Sequence, residues 1–146
     1  MNIPTAKELN PYGGIDAPYI EEQYFGKTIE ELECELKGNV EFYTENLMYL
    51  GPIGFSYYFR AFRAYVLSEN SLNDGGVFDP LYMAVLAQVD QHKEMIKESY
   101  TDIIEVATHI VNNWESFCPI DGDDYDCVDK WQGLRDSLDG IGAVEQ

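Results

Sequence analysis

The stretch Ile53-Gly-Phe-Ser-Tyr-Tyr-Phe-Arg-Ala-Phe-Arg-Ala-Tyr-Val-Leu67 is the most apolar in the chain. Phe55, Phe59, Phe62 and Val66 fall on one helical stripe, and Tyr58, Ala61 and Tyr65 form a second stripe beside it. Only Ser56, Arg60 and Arg63 leave a narrow polar strip. A helix this apolar around its circumference belongs at the centre of an all-α core.

The flanks repeat the helical period. Upstream, Val40, Tyr43, Leu47 and Leu50 are in register for a helix that Gly51-Pro52 ends. Before it, Thr28 and Glu31 have capping-box spacing, Ile29, Leu32 and Leu36 share a face, and Gly38 supplies a stop. Residues 1–27 carry Pro4, Pro11, Gly13, Gly14, Pro18 and Gly26, which break any period, so an irregular arm pinned by its aromatics is expected. Downstream, Asp79-Pro80 reads as an N-cap followed by proline at the first helical position. Leu81, Val85, Val89, His92 and Ile96 then keep helical spacing to about Lys97. Another helix restarts at Thr101-Asp102 on Ile103, Ala107, Ile110, Trp114 and Phe117, and Pro119 closes it. An acidic loop, 121–126, precedes a short helix from about Val128 to Leu138 and a frayed tail. No period-2 run is long enough for a strand. The expectation is a compact all-α bundle of five or six helices in one domain, 1–146: an arm (1–27), a helical core (28–118) and an acidic end (119–146).

Charge bounds the function. The chain of 146 residues holds 27 acids and 9 Lys and Arg, for a net charge of −18. The excess is spread along it: residues 1–50 net −7, 51–118 net −5 and 119–146 net −6. Such a surface repels nucleic acid and anionic membrane and attracts basic surfaces. With 45% hydrophobic and 14% aromatic residues, the chain is nevertheless too apolar to be disordered. No signal-like h-region and no membrane-length apolar run is present. Cys34, Cys118 and Cys127 lack C-x-x-C spacing, which favours a cytoplasmic protein with free thiols and leaves a Cys118–Cys127 bridge open.

Chemical motifs are absent. Started at Asp121, an EF-hand register puts Tyr125 at position 5, Asp126 at position 6 and Gln132 at position 12, so the calcium pattern fails. His92 lies on an apolar stripe and reads as a core-edge histidine. His109 and Glu105 are one turn apart, but two ligands make no metal site. Arg60 and Arg63 are spaced to bracket a carboxylate of a neighbouring helix. There is no nucleophile elbow and no phosphate loop, so no catalytic residue, cofactor or metal is expected.

The segment Asn46-Leu-Met-Tyr-Leu-Gly-Pro-Ile-Gly-Phe-Ser-Tyr-Tyr-Phe-Arg-Ala-Phe-Arg-Ala-Tyr-Val-Leu-Ser68 resembles the central part of small uncharacterised bacterial helical proteins, in which a Tyr-Tyr helix follows a Leu-Met turn. In size, acidity and helical content the chain is also similar to immunity proteins that neutralise nuclease or other toxins. That second likeness implies a basic protein partner, such as a toxin, and no residue is carried over from it.

The leading expectation is therefore a non-enzymatic acidic binding or inhibitor protein, steered by charge and locked by aromatics. Its candidate contacts are Glu30, Glu31, Glu33 and Glu35 on the first helix and Asp123, Asp124, Tyr125 and Asp126 in the loop. The alternatives are a structural or assembly subunit whose charge serves solubility, and an enzyme whose site assembles only in space. A homo-oligomer is compatible with each.

Overall fold

A computed structural model of the chain describes residues 2–14, 17–72, 74–117 and 125–144. It is all-α, with nine α-helices and three short 3-10 turns among the described residues. Four helices carry the middle of the fold: α3 (Ile29–Leu36), α4 (Val40–Leu47), α5 (Pro52–Leu67) and α6 (Phe78–His92). α7 (Tyr100–Asn112) and α9 (Tyr125–Val144) complete the bundle.

α5 is central. Phe55, Tyr58, Phe59, Ala61 and Phe62 are all 0% exposed, and α1 (Ala6–Leu9), α3, α6 and α7 pack around them. Each buried phenylalanine contributes about 1.5–3 kcal/mol of transfer free energy, so this one helix anchors the core. Two of its tyrosines, Tyr58 and Tyr65, are buried with hydroxyls that find backbone acceptors. The Tyr58 hydroxyl donates to Tyr24 O at 2.6 Å and Lys27 O at 2.8 Å, tying the arm to the core. Desolvation, then the neighbouring Tyr57, pushes that phenol up to about 12.

Several boundaries differ from the sequence reading: α4 ends at Leu47 rather than Leu50 and α6 at His92 rather than about Lys97, and four others differ for local reasons. The arm is not irregular throughout. Thr5 and Glu8 form a capping box that starts α1, and α2 (Ala17–Tyr24) buries Ile20 and Tyr24. α6 begins at Phe78 directly from a 3-10 turn, Gly75–Val77, so Asp79 is not its N-cap. Pro80 still fits, because the first turn leaves its N–H groups unpaired within the helix. The apolar run ending at Phe117 is split. Asn113 sits at φ −125° and its side-chain amide donates to His109 O at 2.9 Å, ending α7 before α8 (Trp114–Phe117). α9 is longer than expected, starting at Tyr125 and continuing to Val144 rather than fraying from 139. Its Trp131 is fully buried and its indole N–H donates to Phe78 O at 3.1 Å. No helix among the described residues is long and apolar enough to cross a membrane.

Candidate functional site

The four glutamates of α3 do not act as one cluster. Glu31 closes the capping box: its carboxylate accepts the Thr28 N–H at 3.2 Å, and Thr28 Oγ1 accepts the Glu31 N–H at 3.1 Å. Glu35 is bound by Lys27 at 2.6 Å and accepts the Tyr43 hydroxyl. The Lys27 hydrogen bond, then that of Tyr43, holds the Glu35 carboxyl below its ordinary range. Burial alone would lower the Lys27 ammonium, but Glu35 and Tyr43 together raise it. Glu30 is exposed and Glu33 half-buried, and neither is ion-paired among the described residues. Two of the four expected contacts are therefore structural.

Of the acidic loop, Asp123 and Asp124 lie outside the described residues. Tyr125 is the first residue of α9. Asp126 is exposed in the first turn, where its charge favours the helix dipole, and it pairs with Lys130 at 3.4 Å. Lys130 also reaches Asp79 of α6 at 3.2 Å, so Asp79 and Asp126 join two helices.

The remaining polar candidates fold inward. Arg63 holds Glu105 by two hydrogen bonds of 2.9 and 2.8 Å and has Asp102 at 3.5 Å. This is the bracketed carboxylate expected from its spacing, but Arg60 takes no part and is exposed. With Glu105 committed, His109 packs its ring edge against Phe117 at 5.7 Å instead. Among the described residues no group of three His, Cys, Asp or Glu side chains is placed to hold a metal ion.

What the structure gathers at the surface is aromatic. Asn46 Nδ2 donates to Gln23 Oε1 at 3.2 Å, a bond that joins α4 to α2. Tyr19 lies one turn before Gln23, Phe42 one turn before Asn46, and Tyr49 one turn after it. Helical spacing therefore arranges Tyr19 and Phe42 along this seam, and Tyr49 follows in the turn after α4. They are 58%, 55% and 50% exposed. Glu21, Glu22, Glu41 and Glu45 are exposed on the same two helices and unpaired among the described residues. The sequence did carry the signal. Phe42 falls off the Val40–Tyr43–Leu47 stripe and Tyr19 off the Ile20–Tyr24 face, so neither ring is needed for the core.

Tyr49 also borders a cleft that reaches to α6. Within it runs a hydrogen-bond chain whose polarity is fixed by the backbone. The Gln88 amide N–H groups point at Leu50 O (2.8 Å) and Leu47 O (3.2 Å), which can only accept. Gln88 Oε1 must then accept from His92 Nδ1–H at 2.9 Å. His92 Nε2 is left as an acceptor, and the Tyr12 hydroxyl donates to it at 2.8 Å. Burial lowers the affinity of His92 for a second proton, in keeping with this neutral tautomer.

Compared with known proteins, the chain matches no family model, and no significant similarity to a curated protein or a solved structure was found.

Proposed function

We propose that this is an acidic helical protein-binding protein, of the immunity or inhibitor type, that occupies a basic surface on a partner protein. The observation that carries the reading is the α2–α4 seam. Three aromatic rings at least half exposed stand there among four unpaired glutamates. Aromatic anchors with a charged rim are the composition of protein interfaces, where rings supply buried area and charges supply steering and register. In this reading the seam, rather than α3 and the acidic loop, is the primary contact surface. The field of −18 charges would draw a basic partner toward it.

Affinity capture from the native lysate at about 50 and about 500 mM salt tests the reading, since screening weakens exposed charge pairs across that range. The expected result is one basic protein held at low salt, loosened at high salt, and lost from a Tyr19→Ala/Phe42→Ala variant that keeps its helical circular dichroism. A partner held equally at both salts and by that variant would contradict it and favour an assembly subunit.

A further inference from the structure

The cleft beside Tyr49 has a volume of about 140 Å³, room for one planar head group. Its lining residues include two tyrosines, Tyr12 and Tyr49, and two residues with side-chain amides, Asn10 and Gln91. Tyr12 is 67% exposed. Its ring is parallel to that of His92 within 4°, with centroids 5.8 Å apart. Together with the hydroxyl–nitrogen bond, that spacing sets the rings side by side, not face to face. The Tyr12 ring is thus held by its edge while its faces stay uncommitted. The loop can carry it there because Gly13 and Gly14 adopt φ +67° and +110°, conformations that favour glycine.

Among the described residues no Lys or Arg lines this cleft, and the neutral His92 spends both ring nitrogens on Gln88 and Tyr12. Aromatic faces with amide oxygens suit a planar group that stacks and donates hydrogen bonds in its plane. Among such groups the field of the whole molecule selects a cation. A guanidinium meets both demands, whereas a lysine ammonium is compact, strongly hydrated and cannot stack. We propose that this cleft takes the guanidinium of an arginine from the basic partner, laid against Tyr12 and Tyr49 and bonded to the amide oxygens of Asn10 and Gln91. The inference rests on the function proposed above and deepens it, since Tyr49 belongs to both the seam and the cleft.

The test uses the full-length isotope-labelled chain and three probes followed by NMR: N-acetyl-arginine amide, its lysine counterpart and its neutral citrulline counterpart. The arginine probe should shift the Tyr12 and Tyr49 ring signals and the Asn10 and Gln91 side-chain amides. Lysine and citrulline should bind at least about threefold more weakly, and Tyr49→Ala, a change at a half-exposed ring, should abolish the response. Equal binding of lysine or of citrulline would overturn the assignment, as would shifts confined to the glutamates of α2 and α4. A silent cleft alongside salt-dependent capture of a basic partner would remove this anchor and leave the broader function standing.

Discussion

Gly51 couples the arm to the core through lack of space. A Cβ there would lie 2.5 Å from Pro11 Cδ and 2.6 Å from Glu8 O, while its N–H donates to Leu9 O at 2.9 Å. Gly51→Ala should therefore cost roughly 1–3 kcal/mol in urea unfolding, because backbone cannot yield as a side chain can; an unchanged midpoint would contradict that packing. Ser56 makes the opposite case. Its Oγ is buried without a hydrogen-bond partner among the described residues, so Ser56→Ala should be neutral or stabilise by up to about 1 kcal/mol. His92 carries a pH dependence. Burial holds it below its ordinary value of 6.5, so the unfolded chain binds its proton more readily than the folded one. Its contribution is whole above that value and is lost as pH falls through the folded one. Wild-type Tm should fall from pH 7 to about 5, and His92→Gln should flatten that fall; equal slopes would sink the assignment. Glu35, held low by Lys27 and Tyr43, acts in the same direction only below 4.5. The role of Glu31 was legible from its spacing to Thr28. That of Glu35 was not, because Lys27 lies eight residues away and Tyr43 belongs to the next helix.

Among the elements, α5 was the most legible, since its double aromatic stripe leaves no other placement than the centre. Capping chemistry located the start of α3 for the same reason that it forms: the hydroxyl and carboxylate satisfy orphan N–H groups. The misread boundaries are those where a side chain or a turn competes with periodicity. Asn113 breaks an apolar run that the 3.6-residue period would carry on to Phe117, and a 3-10 turn enters α6 ahead of Asp79. α9 was underestimated because it has few apolar positions and three glycines, Gly133, Gly140 and Gly142, so its length depends on packing against α7 and α6. Trp131 is the centre of that packing. Trp131→Ala should lower unfolding free energy by about 3–5 kcal/mol, through lost volume and the unpaired Phe78 carbonyl. A loss below about 1 kcal/mol would mean that α9 is not held as described.

At the scale of the molecule, the proposed binding function rests on charge and aromatic surface together. Nine basic side chains are too few to neutralise 27 acids even if each is paired, and several pairs that do form, such as Arg63 with Glu105 and Lys130 with Asp79, hold helices together. Under the proposed function, the exposed acids on α2 and α4 are those that stand on the same helices as Tyr19 and Phe42. From sequence the candidate contacts are Glu30, Glu31, Glu33 and Glu35 and the acidic loop, whereas the proposed function moves them to α2 and α4, because Glu31 and Glu35 are engaged within the fold. Net charge is a property of composition, whereas the seam exists only in the folded chain, where the Asn46–Gln23 bond and the Tyr24 hydroxyl on Tyr43 O join α4 to α2. The decisive measurement is stopped-flow association of the captured partner with wild type and with a Glu21→Gln/Glu22→Gln/Glu41→Gln/Glu45→Gln variant across salt. At low salt the variant should associate at least about tenfold more slowly, and the two rates should converge as salt screens the surface. Equal rates at every salt concentration would contradict the claim that the α2–α4 seam receives a basic partner.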